Sequence, residues 1–214
     1  MLIYIVRHGE TKSNEEGYLQ GWSDDPLNSN GVDLAEITGK GMREIKFDEC
    51  ISSPLKRARQ TAEIILKNNK HAVPMYFDNR IMEINMGSWE RKKFRPGECE
   101  VDAVQLRTFF TDPFSFAGYP GGESIYDVCK RTQSFLKEII ARDDGKTYLV
   151  TTHGFALRAM LNYLYENSED FWHGHVPYNC SVNVIEANNG NVRIIEDDMI
   201  YYDKNNVVDR YAKF

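Results

Sequence analysis

The chain has 214 residues, 42% of them hydrophobic, with 26 Lys and Arg against 32 Asp and Glu, a formal charge of −6. That length suits one domain, or one domain with a cap, and supplies ample material for a core. The negative balance argues against general affinity for nucleic acid or anionic membranes, so an anionic ligand has to be met by local positive charge.

The apolar run Leu2-Ile3-Tyr4-Ile5-Val6 predicts a strand over 2–6. It is too short for a signal peptide, and no apolar run approaches the ~18 residues that span a bilayer. The strand leads into Arg7-His8-Gly9-Glu10-Thr11. A cation and an imidazole thus stand at a strand's carboxyl end, where open α/β sheets bind ligands. Gly9 is expected to let the backbone approach a ligand closely. His8 can serve there as nucleophile, general base or metal ligand.

A helix is expected over 31–45, a strand over 48–52 and, after Pro54, a helix over 55–69. Lys56, Arg57 and Arg59 open that helix, where positive charge opposes the helix dipole. The misfit is tolerable if an anion sits among them; a solvated basic face is the alternative. A strand over 73–77 precedes Glu83, which has apolar neighbours. A carboxyl in such surroundings is a candidate for a raised pKa and proton donation, with a plain surface glutamate as the alternative.

Residues 86–123 read as a less regular insertion over the sheet's carboxyl edge, of a length uncommon without function. They hold Lys92, Lys93, Arg95 and the aromatics Phe94, Phe109, Phe110, Phe114, Phe116 and Tyr119. These rings either shape an apolar pocket or pack the insertion; packing is the expectation. A helix over 124–142 carries Ile125, Val128, Phe135, Ile139 and Ile140 at helical spacing. A strand over 147–152 then ends in His153-Gly154, with a helix over 155–166 whose first N–H groups make an anion site. A capping or core histidine is the alternative for His153.

Strands over 181–186 and 191–196 flank Asn188-Asn189-Gly190, a hairpin turn. The alternation predicts a three-layer α/β/α fold with a mostly parallel sheet and an antiparallel edge strand. One domain over 1–214 is expected, with the cap at about 86–123. The tail from Tyr201 to Phe214 either covers the site or lies loose. Cys50, Cys99, Cys129 and Cys180 form no C-x-x-C pair and are expected as reduced thiols of a cytoplasmic protein. His173-Gly174-His175 comes with no H-E-x-x-H and no cysteine pair, so neither metal nor cofactor is expected.

Taken together, these pieces resemble the histidine phosphatase superfamily, also called phosphoglycerate mutase-like. The matching stretches are Arg7-His8-Gly9-Glu10-Thr11 with Asn14, Gln20-Gly21 before Pro26-Leu27, and Ser53-Pro54-Leu55-x-Arg57-Ala58-x-Gln60-Thr61-Ala62. Glu83 with Gly87-x-Trp89-Glu90, Gly121-Gly122-Glu123-Ser124 and Thr152-His153-Gly154 complete them in family order. The resemblance implies that His8 accepts the phosphoryl group and that Arg7, Arg57 and His153 hold its oxygens, helped by Asn14. Glu83 would protonate the leaving oxygen, with Gln20, Gly21 and Gly154 on the substrate side.

Three activities fit the resemblance: a metal-independent phosphatase, a phosphoglycerate mutase, or a phosphate-binding regulatory module with little turnover. The mutase branch resembles this chain less. Glu83 is followed by Ile84-Asn85-Met86-Gly87 without that branch's tyrosine, and 90–123 has no Arg-Arg pair. Lys92, Lys93 and Arg95 still leave a way to meet a second anionic group. The expected partner is a small phosphorylated metabolite, bound by a monomer or homodimer.

Overall fold

A computed structural model describes residues 1–207 of the chain. Six strands form one sheet in the order β3-β2-β4-β1-β5-β6. They are β1 (Leu2–Arg7), β2 (Glu49–Ser52), β3 (Met75–Phe77), β4 (Thr147–Thr152), β5 (Val182–Asn188) and β6 (Asn191–Met199). The first four strands in sheet order pair in parallel. β5 runs antiparallel to β1, and β6 antiparallel to β5 at the edge.

Strand alternation sorts the core into two faces. Ile3, Ile5, Ile51, Tyr148 and Val150 face α5 (Ile125–Ala141) and α6 (Gly154–Leu161), meeting Phe135, Leu136, Ile139, Leu157 and Met160. Val6, Cys50, Leu149, Val182 and Val184 face the other way, onto Ala62 and Ile65 of α3 (Lys56–Asn68) and Met42 beyond α2 (Ser29–Gly41). This is the expected three-layer arrangement. Every residue of α6 is buried. One of them is Arg158, whose guanidinium pairs with the half-buried Asp198 on β6 and donates to the carbonyl of His175 at 3.3 Å.

Several boundaries differ from the sequence reading. α2 starts at Ser29 because the Asn28 side chain accepts from the Gly31 N–H at 2.8 Å. It ends at Gly41, where an added Cβ would lie 2.1 Å from the Tyr201 ring. α6 stops at Leu161, and Asn162–Leu164 tightens into a 3₁₀ turn. Two helices were not anticipated. α1 (Lys12–Glu16) is a single turn with a capping box between Thr11 and Asn14. α4 (Ala103–Thr111) lies inside 86–123, capped by Asp102, whose side chain accepts from the Gln105 N–H at 2.8 Å.

The segment 86–123 has a third apolar cluster of its own. Phe94, Leu106, Phe109, Phe116 and Tyr119 pack with Ile125 and Val128 of α5, Phe155 of α6, and Phe171 and Trp172. It thus lies against the α5 and α6 ends that face the carboxyl edge of the sheet. No helix among the described residues is long and apolar enough to cross a membrane.

Candidate active site

β2, β4 and β1 are neighbours, so Ser52-Ser53, Thr152-His153 and Arg7-His8 end side by side. The His8 and His153 ring centroids are 5.1 Å apart. Nδ1 of His8 lies 2.7 Å from the Gly9 carbonyl, and the Nε–H of Arg57 donates to His8 Nε2 at 3.2 Å. A carbonyl can only accept and a guanidinium can only donate, so the proton sits on Nδ1 and a lone pair on Nε2. Burial holds the His8 pKa well below the usual histidine value, and the charges of Arg57 and Arg7 push the same way. His153 is lowered likewise, by burial first and then by Arg57 and its neighbours.

Arg57 is fully buried in the first turn of α3. Its Nη1 and Nη2 donate to the carbonyls of Ser23 and Gly21, each at 2.7 Å. Burial lowers its pKa to about 10, which leaves it charged at neutral pH. The Gly21, Trp22 and Ser23 N–H groups in turn donate to the Glu90 carboxylate at 2.9, 3.2 and 2.9 Å. Loop 21–23 is therefore clamped between one cation and one anion.

Glu83 lies at the start of α6. Its carboxylate accepts from the N–H groups of Ile84 and Ala156 at 3.0 Å and of Phe155 at 3.2 Å. Those donors and Arg57 favour the ionised form, but burial outweighs them and the pKa is raised. Its peptide segment is held by Arg131, which donates to the carbonyls of Met82 at 2.6 Å and Glu83 at 2.9 Å and pairs with Glu123 at 2.7 Å.

One cleft takes in most of these groups. Arg7, His8, Asn14, Gln20, Glu83 and Gly154 line it. Arg7 donates to the Pro177 carbonyl behind it. The Asn14 carboxamide oxygen accepts from the Thr11 N–H at 3.2 Å, leaving its amide nitrogen as the group it can offer the cleft. Arg57 and His153 are fully buried beside His8 rather than in the cleft wall. Gly21 does not line the cleft. An added Cβ there would lie 2.4 Å from the Ile84 carbonyl, so its bareness serves backbone packing. Gly9 is packed closely as well. Its missing side chain admits the Gly31 carbonyl of α2, which a Cβ would meet at 2.5 Å.

The aromatic residues of 86–123 divide. Phe116 and Tyr119 are buried in the third cluster with Phe114 against it. Phe94, Phe109 and Phe110 pack with that cluster, as expected, and line the cleft as well. Tyr18, Leu19, Met86, Phe155, Trp172 and Val176 join them; no local signal in the sequence marked these. Lys92, Lys93 and Arg95 do not reach the cleft. Lys93 pairs with Glu98 at 2.9 Å, and Arg95 donates to the Glu15 carbonyl at 2.6 Å. His173 stacks on Tyr165 at 3.6 Å and His175 faces Asp198 at 3.2 Å.

Sequence reading also passed over Ser53 and Thr61 as individual groups. Ser53 Oγ is 2.8 Å from His153 Nε2, and Thr61 Oγ1 accepts from the Gly9 N–H at 3.0 Å while donating to the Arg57 carbonyl at 2.8 Å. The start of the tail approaches the same turn: the Tyr202 hydroxyl donates to the Asn179 carbonyl at 2.8 Å, and Asn179 donates to the His8 carbonyl at 3.0 Å. Residues 208–214 of that tail lie outside the described residues.

The family model of the histidine phosphatase superfamily (branch 1) matches residues 3–196. The chain belongs to the histidine phosphatase superfamily. A 2,3-bisphosphoglycerate-dependent phosphoglycerate mutase of Cytophaga hutchinsonii is 34% identical over 180 residues, which are 80% of this chain and 81% of that one. The solved structure of YhfR from Bacillus stearothermophilus is 31% identical, with a TM-score of 0.85 over 93% of this chain and 97% of that one. Phosphoserine phosphatase of Entamoeba histolytica, solved with 3-phosphoglyceric acid, is 25% identical, with a TM-score of 0.77 over 91% and 95%. Superfamily members with both mutase and phosphatase names therefore share this fold.

Proposed function

We propose that the protein is a phosphomonoesterase that passes the phosphoryl group of a small phosphorylated metabolite through His8 to water. The observation that carries this reading is the His8 ring, held neutral with its lone pair on Nε2, in one cleft with Arg7 and Glu83. A phosphate monoester is a dianion, and neutral imidazole attacks it without charge repulsion. The Arg57 Nε–H now occupies that lone pair. A phosphoryl oxygen is the stronger acceptor, so the bound ester would take this donor over and free Nε2.

Nε2 then forms the N–P bond as the P–O ester bond breaks. Protonated Glu83 delivers its proton to the leaving oxygen. As carboxylate it takes one back from the water that attacks phosphohistidine, the N–P bond breaks and inorganic phosphate leaves. Such transfer asks chiefly for positioning and charge stabilisation, which Arg7, Arg57, His153 and Asn14 would supply.

The mutase reaction is the second reading, favoured by the name of the Cytophaga relative. It requires the enzyme to hold a phosphoglycerate's carboxylate together with its phosphate. Among the described residues that line the cleft, the acidic or basic side chains besides His8 are Arg7 and Glu83, which supports hydrolysis instead. The test compares phosphate release from a panel of phosphomonoesters with 3- to 2-phosphoglycerate interconversion, both without added metal. Release with an acid-labile adduct at His8 is expected. Strong interconversion without release assigns the chain to the mutase reaction.

A further inference from the structure

Resting on the phosphatase reading, we propose that the organic half of the substrate is apolar and uncharged, so that the cleft selects alkyl or aryl phosphates over sugar phosphates and phosphoglycerates. The cleft has a lining of two kinds. The polar part of its lining is His8, Arg7, Glu83, Asn14 and Gln20; the apolar part includes Phe94, Phe109, Phe110, Trp172, Met86 and Val176.

The apolar walls are already interlocked. Phe109 stacks on Phe155 with centroids 5.2 Å apart, and Phe110 on Trp172 at 6.0 Å. A preformed wall has little side-chain freedom left to lose on binding. Its donors are engaged: the Trp172 indole N–H goes to the Phe109 carbonyl at 3.3 Å. A polyol entering among these apolar side chains gives up water and meets, among the described residues there, the Tyr18 hydroxyl in return, and each unpaired hydroxyl is penalised.

A carboxylate fares worse. Lys93 stands 5.6 Å from the Tyr18 ring centre but is paired with Glu98 at 2.9 Å, and Arg91 is paired with Asp25 at 2.9 Å. Burying a methylene is worth about a fourfold gain in affinity.

The experiment measures binding and turnover of straight-chain esters, whose leaving groups are chemically matched. Calorimetry on n-alkylphosphonates from propyl to heptyl reads affinity without any hydrolysis, and phosphate release from the corresponding alkyl phosphates reads kcat/KM. The expected result is about a fourfold rise per methylene until the walls are filled, with glycerol phosphate at least about tenfold below propyl phosphate. Phe110→Asp should flatten the slope; the wild-type series stands alone if that variant does not fold. A flat affinity series, or 3-phosphoglycerate hydrolysed more efficiently than hexyl phosphate, overturns the inference. A rising affinity series with no phosphate release from any ester overturns the phosphatase reading alone.

Discussion

Arg57 donates to His8 through Nε while both of its terminal nitrogens are tied to the carbonyls of loop 21–23. One side chain thereby fixes the imidazole's tautomer and the loop's position at once. Arg57→Lys keeps the charge but can place only a point donor where three fixed ones stand. We expect kcat/KM for p-nitrophenyl phosphate to fall by roughly 10²–10³-fold, the size usual for losing a preorganised donor. A loss under about threefold, with the fold intact by circular dichroism, would count against Arg57 as a phosphoryl ligand.

In the proposed reaction Glu83 delivers the proton, which matters most when the leaving group is poor. Glu83→Gln should slow hydrolysis of an alkyl phosphate by about 10²–10⁴-fold. The effect should shrink for p-nitrophenyl phosphate, whose leaving oxygen needs no proton. In wild type the raised Glu83 pKa places an alkaline limb on the pH profile for alkyl esters, because the acid form is lost as pH rises through that pKa. The limb should be missing in the glutamine variant. Equal slowing of both ester classes would remove Glu83 from the acid role.

His8 and His153 are both lowered well below the usual 6.5. The unfolded chain therefore takes up protons near pH 6.5 that the folded protein refuses. Stability should fall as pH drops below about 6.5, by up to about 1.4 kcal/mol per pH unit for each histidine, until the folded-state pKa values are reached. Urea midpoints at pH 7.5 and 5.5 measure this. His153→Gln should show the shallower dependence, and an unchanged slope would contradict the neutral buried pair.

Arg158 is 1% exposed and pairs with Asp198 at 8%. Asp198→Ala leaves the buried guanidinium with Asp197 at 3.3 Å, the Tyr165 hydroxyl at 2.8 Å and the His175 carbonyl at 3.3 Å, so we expect a loss of about 1–3 kcal/mol, the size usual for one charged hydrogen bond. Arg158 also holds the His175 carbonyl, two residues before the Pro177 carbonyl that receives Arg7. Denaturant unfolding should show the loss, with a raised KM in whatever fraction stays folded. A loss below about 1 kcal/mol would show that water reaches the guanidinium.

The strand-end geometry of His8 and His153 was legible because each follows a run of buried β-formers, and parallel neighbours must end on the same edge. Glu83 was legible only as a carboxyl among apolar residues; its three backbone donors come partly from residues 155 and 156, which no local pattern connects to it. α4 escaped notice because Pro96 and Pro113 frame it, although Asp102 before Leu106 and Phe109 was a capping signal. The apolar half of the cleft was least legible. Trp172 and Phe109 meet across 63 positions of sequence, and periodicity carries no information at that range.

The β5–β6 turn lies at the blunt pole of the molecule. Val6 pairs with Val182 next to the chemistry, and Leu2 pairs with Glu186, so Asn189 and Gly190 project from the end of the sheet remote from His8. Both adopt positive φ, 49° and 80°, in a tight, solvent-facing reversal. A fluorophore, affinity tag or surface tether spliced into that reversal leaves the mouth of the cleft facing free solution. The chain can be anchored to a bead or an electrode there with its cleft outward.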